Sequence, residues 1–215
     1  MKFDKKLFFK TIICILILVL IIYCTTTIYK YIILSKISNT YEESKKIENY
    51  SCSYRSLTTN ITLYKLNNIT KIFLEPIGIL GKSIYWYDSN SNEKIEFMED
   101  ENEKIYFNAD NIDVNIFSTT SLSTTNNEKM IRLITAMNPF LFIRNCKYND
   151  IACYDIYYYN DGLNIEKIDK KTGLILYSDY AVGGKTYYTY TFNNVIEKDV
   201  EKPDINLYTY KNVLY

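Results

Sequence analysis

The sequence contains no histidine. That removes the imidazole base of Ser-His and Cys-His pairs and the commonest metal-ligating nitrogen. Glycine and proline are scarce, at six and three in 215 residues, and no Gly-rich phosphate loop exists. Net charge is also missing, because 25 basic residues balance 25 acidic ones. Nucleic-acid binding needs a clustered excess of Lys and Arg, so that partner is excluded. The densest acidic run, Glu99 to Glu103, falls where a hairpin turn belongs. The alternating oxygen ligands of Asn108 to Asp113 lack the glycine and distal glutamate of a calcium loop. No metal, no cofactor and no catalysis are expected.

What the chain does have is tyrosine, 23 of them, and one long uncharged run. Its excess of Ile, Asn, Lys and Tyr matches AT-biased coding in a low-GC genome. Residues 11–29, TIICILILVLIIYCTTTIY, contain no charge over 19 positions. A bilayer core of roughly 30 Å needs about 20 such residues as helix. Lys2, Lys5, Lys6 and Lys10 precede the run, so the positive-inside rule predicts a cytoplasmic N-terminus and an extracellular C-terminal domain on a single-pass anchor in the cell membrane. A cleaved signal peptide is the rival, although h-regions are typically shorter and no A-x-A-like site follows. LIIYC, ending at Cys24, resembles a lipobox with Tyr23 where a small residue is wanted, which leaves lipidation of Cys24 open. The predicted division is therefore 1–30, basic N-terminus and anchor, and 31–215, extracytoplasmic domain. Residues 31–215 carry 20 basic and 24 acidic residues, a net charge of −4. Such a domain is not held to an anionic membrane by overall charge.

Cys14 and Cys24 lie in the apolar run and read as small apolar residues. Cys52, Cys146 and Cys153 lie beyond it, and an odd number cannot all pair within one chain. NCKYNDIAC places Cys146 and Cys153 at the ends of a short loop, which predicts a local disulfide. Three cysteines without histidine make a poor zinc site. Asn49, Asn60 and Asn68 each begin an N-x-[ST] triplet, which matters only in a host that glycosylates.

Residues 38–50 carry N-cap candidates Ser38, Asn39 and Thr40 and an i,i+4 pair, Glu42 and Lys46. They predict a short helix. Six short β-rich runs follow between residues 50 and 109, separated by Asn-rich breaks. Ile84 and Trp86, Ile95 and Phe97, and Ile105 and Phe107 share faces at period 2, with Tyr85, Tyr87 and Tyr106 opposite. TNNEKMIRLITAMNP begins with a Thr125–Glu128 capping box and predicts a helix that Pro139 stops. Four more strands follow: Ile151–Tyr159, Leu163–Ile168, Leu174–Val182 and Lys185–Phe192, the last pair turning at Gly183-Gly184. About ten antiparallel strands with one or two covering helices make an α+β domain, and so wide a sheet curls or closes.

Residues 165–208 carry a resemblance. The Asp169-x-x-Thr172-Gly173 turn, two long strands, the Asn194-Val195 pair and Pro203-Asp204 resemble the end of proteins related to the outer-membrane lipoprotein carrier (LolA-like) superfamily. The match covers about a fifth of the chain, as in a membrane-anchored member from a low-GC Gram-positive bacterium. It implies a strongly curved antiparallel half-barrel, with an apolar concave side partly plugged by helices. It further implies a non-catalytic binding protein for lipid, acyl chains or a lipoprotein. The alternative is an envelope regulatory or structural protein with a filled barrel and a protein partner. An anchored chain departs from the family's soluble carriers, so fold transfers better than cargo. With the resemblance, Trp86, Phe97, Phe107, Tyr188, Tyr190 and Phe192 become the candidate ligand-facing residues, each on its strand's more apolar face.

Overall fold

The computed structural model describes residues 5–78, 81–109, 129–159, 161–181 and 183–212. The first element, α1, is a 40-residue helix from Lys5 to Ser44. Its large apolar side chains from Phe8 to Tyr23 are all exposed. The helix is long and apolar enough to cross a membrane. Further along, Ile33, Leu34, Ile37 and Tyr41 are buried. Their spacing is that of one helical stripe facing a core.

Expected as a separate short helix, Ser38 to Ser44 instead continues α1. The Thr40 hydroxyl, an N-cap candidate, bonds back to the carbonyls of Lys36 and Ile37. The Ser38 hydroxyl accepts from Arg132. Hydroxyls that signal a helix start in sequence serve here inside a helix that tertiary packing sustains.

Two meanders follow. The first comprises β1 (Asn49–Arg55), β2 (Thr59–Leu66), β3 (Ile69–Pro76), β4 (Lys82–Asp88), β5 (Glu93–Glu99) and β6 (Lys104–Asn108). Helix α2 (Lys129–Met137) leads to β7 (Phe142–Tyr148), β8 (Ile151–Tyr159), β9 (Leu163–Asp169), β10 (Ile175–Tyr180) and β11 (Gly184–Phe192). A short α3 (Glu197–Val200) and a 3-10 turn (Ile205–Leu207) precede β12 (Thr209–Tyr210). The Thr125–Glu128 capping box and residues 110–113 of the Asn108–Asp113 stretch lie outside the described residues.

Among the described residues all twelve strands join one curved open sheet in the order β12-β6-β5-β4-β3-β2-β1-β11-β10-β9-β8-β7. Every pairing is antiparallel except β12 with β6. Pairing of β1 with β11 zips the two meanders together. The α+β class holds, with twelve strands where about ten were expected.

The pairings fix which side chains share a face. Tyr190 pairs with Cys52, Cys52 with Leu63, Leu63 with Ile72, Ile72 with Tyr85, Tyr85 with Glu96 and Glu96 with Phe107. This is the face that α1 covers. Ile37 packs with Tyr154, Ile156 and Ile168 in one cluster, and Tyr41 with Tyr50, Cys52 and Leu63 in another. The opposite face is covered near β3–β6 by the C-terminal segment, where Ile205 and Tyr208 pack on Ile84, Trp86, Ile95 and Phe97.

Candidate functional site

The turn that carries the resemblance is built to dock on α1. The Thr172 hydroxyl donates to Asp169 Oδ2 at 2.7 Å, and the Lys171 amide donates to Asp169 Oδ1 at 2.9 Å. Ser44 Oγ donates across to the Thr172 carbonyl at 2.6 Å. Gly173 has φ +71, and a Cβ there would meet Tyr41 N at 2.7 Å and Ile37 O at 2.8 Å. Only glycine permits both the left-handed backbone and so close an approach. The motif thus holds the β9–β10 connection against the helix.

Next to this turn the sheet opens. Pairing between β10 and β11 runs from Tyr180–Gly184 only as far as Tyr177–Tyr187, with a register shift in β10 between Ile175 and Tyr177. Beyond that point Tyr188 to Phe192 pair with β1 alone. The gap is a cleft of about 200 Å³ bordered by Leu176, Tyr188, Tyr190 and Phe192, with Tyr148 and Ile151 from the β7–β8 hairpin. A disulfide joins Cys146 and Cys153, which face each other on that hairpin.

The six candidate residues do not converge. Tyr188, Tyr190 and Phe192 line the cleft. Phe107 lies on the same face but four strands beyond β2, at 4 % exposure. Trp86 and Phe97 belong to the opposite face. Trp86 Nε1 donates to the Val200 carbonyl at 3.0 Å, and Lys202 Nζ sits 5.0 Å from its ring. Phe97 packs edge-on against Tyr208 at 4.9 Å. A shared concave wall of all six is therefore corrected. Alternation defines two faces within a strand, and a one-residue difference in register exchanges them between strands. For the same reason Phe107 is not on the Phe97 face, since Phe97 pairs with Tyr106.

The Asp169 carboxylate borders the cleft, and a buried phenol, Tyr190, lines it with the Cys52 thiol beside it on β1. Burial pushes the Cys52 thiol up to about 12, against an opposing contact from Tyr190. Burial, with Cys52 and Tyr188 nearby, also raises the Tyr190 hydroxyl. Neither ionises near neutrality, so neither is an activated nucleophile. The buried Tyr190 hydroxyl has no conventional hydrogen-bond partner among the described residues.

Three buried carboxylates lie outside the cleft. Glu166, fully buried beneath α1, accepts from Tyr158 at 3.0 Å and Tyr180 at 2.8 Å. Asp155, on the opposite face, accepts from Arg144, Lys167 and Tyr157. Burial would raise its pKa, but those hydrogen bonds outweigh it and hold the carboxyl below its ordinary value. Glu96 is shifted the other way, raised by burial against hydrogen bonds from Tyr85 and Ser83. Among the described residues no cluster of three or more His, Cys, Asp or Glu is arranged to hold a metal ion. The arrangement offers packing and binding.

Sequence reasoning misses Leu176, Tyr148 and Ile151, because the cleft depends on where β11 leaves β10 and on β7, which reads in sequence as part of a loop. The one available signal is the Asp169-x-x-Thr172-Gly173 turn, which fixes the cleft's border.

No family model matches the chain, and no curated protein matches it. Among solved structures it is similar to an uncharacterized conserved protein from Thermus thermophilus. The two are 9% identical, with a TM-score of 0.47 over 82% of this chain and 98% of that chain.

Proposed function

We propose that the chain is a membrane-anchored, non-catalytic interaction module of the cell envelope, whose half-barrel is filled by its own helix and whose partner is a protein. The observation that carries this reading is the continuity of α1. The same helix that is apolar and exposed from Phe8 to Tyr23 buries Ile33, Leu34, Ile37 and Tyr41 against the sheet. The space that an acyl cargo would occupy in an open half-barrel is taken by these side chains. The seam cleft favours the other reading, lipid or acyl binding through Tyr188, Tyr190 and Phe192. At about 200 Å³ it falls below the roughly 300–1,000 Å³ of ordinary ligand pockets. It has room for about six waters at ~30 Å³ each, which suits a chain end better than a whole acyl chain.

Ile37→Asp in the full chain, purified in detergent, separates the two readings. An unpaired charge at this 1 %-exposed position should abolish the cooperative unfolding transition and the tyrosine near-ultraviolet circular dichroism. A sheet that stays folded and gains affinity for a fluorescent fatty acid would show the helix to be a removable lid over a lipid cavity.

A further inference from the structure

The large side chains of α2 point the wrong way for a core helix. Ala136 is its one buried residue, whereas Met130, Leu133, Ile134 and Met137 are exposed at 42–66 %. Phe140 and Phe142, just beyond it, are exposed at 66 % and 61 %, while Leu141 between them is fully buried. Met130, Leu133, Ile134, Met137 and Phe140 thus put five large apolar groups within 11 residues outward on α2 and the turn after it, while Phe142 faces the other side of the edge strand β7. Exposed apolar surface this concentrated marks an interaction site.

Where the patch sits identifies its occupant. The Tyr23 hydroxyl donates to the Met137 carbonyl at 2.8 Å, and Lys30 Nζ donates to the Asn138 carbonyl at 2.9 Å. Arg132 reaches Ser38 from the other end of α2 at 2.9 Å. The C-terminal end of α2 is therefore level with the last turns of the uncharged run. Tyr23 precedes its end at Tyr29 by six residues, about 9 Å of helix at 1.5 Å per residue. That depth matches the headgroup–acyl boundary, where interfacial apolar side chains are buried about 5–10 Å, and it is the C-terminal end of α2 that reaches it. The charge agrees as well. From Lys129 to Ile143 the chain has Lys129 and Arg132 and no acidic residue, within a chain of zero net charge.

We propose that α2, with Phe140, lies against the bilayer that α1 spans, as a second membrane contact of the same chain. The inference rests on α1 crossing that bilayer. The patch continues the exposed apolar surface of α1, so lipid that surrounds one meets the other. The basic pair favours anionic headgroups. α2 runs antiparallel beside α1, with Arg132 at Ser38 and its C-terminal end at Lys30 and Tyr23, so a second contact at that end fixes the tilt of the sheet on the membrane. A helix alone leaves that tilt free.

The test uses the full chain in vesicles of phosphatidylcholine and phosphatidylglycerol, with acyl chains brominated or not. Tryptophan is introduced singly by Ile134→Trp, Phe140→Trp and, as a marker of the span, Ile17→Trp. Trp86, buried on the opposite face, supplies the unquenched background in the unaltered chain. Brominated lipid should remove the added emission at all three positions and leave that of Trp86. Loss at position 17 with none at 134 and 140 overturns the second contact and leaves the span standing. A copy of the chain seated on the patch would give this same pattern, with disulfide-linked dimers of the Phe140→Cys chain. No loss at position 17 overturns the span and the proposal together. Because positions 134 and 140 are open, both substitutions are compatible with folding, and either one decides the question if the other misfolds.

Discussion

Two buried carboxylates pull the stability of this domain in opposite directions with pH. Asp155 is held below its ordinary value, since hydrogen bonds from Lys167, Tyr157 and Arg144 overcome burial. Its contribution is present above the unfolded pKa, near 3.9, and is lost as pH falls through the folded value. Glu96 is raised by burial. Its contribution is complete below the unfolded pKa, near 4.3, and is lost as pH rises through the folded value. Asp155→Asn should therefore lower stability at pH 7 by roughly 1–3 kcal/mol, with the deficit closing below about pH 4. Glu96→Gln should raise the melting temperature at pH 7, with the gain closing on acidification. Thermal melts of both variants across pH check the signs, and parallel curves would mean that neither carboxylate titrates as described. Gly173 gives a second prediction at this scale. Gly78 has a similar φ of +77 with nothing within 4 Å of where a Cβ would stand, whereas Gly173 at φ +71 abuts the α1 backbone. Gly78→Ala carries only the backbone strain, about 1 kcal/mol. Gly173→Ala adds displacement of the helix, so its loss should exceed that of Gly78→Ala by at least ~1 kcal/mol. Equal losses in denaturant melts would show that the turn does not press on α1.

The β7–β8 hairpin is the element where covalent chemistry and pairing coincide. Cys146 and Cys153 are directly opposed in the register and disulfide-bonded, while Cys14, Cys24 and Cys52 are free. Alkylation of the unfolded, unreduced full chain should therefore find three thiols, and five would refute the bridge. Replacing both half-cystines by serine should cost about 2–3 kcal/mol for so short a loop. This hairpin also shows what the sequence conveys and what it does not. Strands β1–β6 and β8–β11 are legible because turn residues bracket runs of alternating tyrosine and aliphatic side chains. Phe142–Tyr148, FIRNCKY, is not, because Arg144, Asn145 and Lys147 break the alternation. Arg144 belongs in the strand because Asp155 on β8 receives it, a partner 11 residues away that no local pattern reveals. The long apolar half of α1 is legible in the sequence, but its continuation as a core element is not. Its buried stripe, Ile33 to Tyr41, is indistinguishable by composition from the end of a membrane span. The candidate site is half legible for a related reason. Tyr188, Tyr190 and Phe192 share one strand, so their common face follows from period 2 alone. Placing Trp86 relative to them needs four successive strand registers, and Phe97 a fifth.

At the scale of the whole molecule, the continuity of α1 makes its exposed apolar half and the domain one mechanical unit, and on the proposed anchored reading that constrains its processing. Tyr23 and Cys24 lie inside the helix, and the Tyr23 hydroxyl holds the end of α2. Cleavage between them would detach Tyr23 and release the contact that fixes α2 beside the anchor. On the proposed membrane-anchored reading, retention of the helix is therefore the expected state, and by the positive-inside rule the lysines at positions 2, 5, 6 and 10 predict a cytoplasmic N-terminus. Ser53 and Thr189 lie exposed and paired on the sheet face away from α1, which makes them suitable reporters of the other side. In cells stripped of their wall but otherwise intact, a membrane-impermeant maleimide should label Thr189→Cys without lysis. The intact mass should correspond to the whole chain. Labelling only after lysis would reverse the orientation. A mature chain beginning at Cys24 and carrying a diacylglycerol would replace the helical anchor by a lipid one. The Tyr23–Met137 bond would then be absent from the mature protein, and α2 would have to hold its place through Lys30, Arg132 and the packing of Ala136 and Leu141 against Ile33, Leu34 and Ile37.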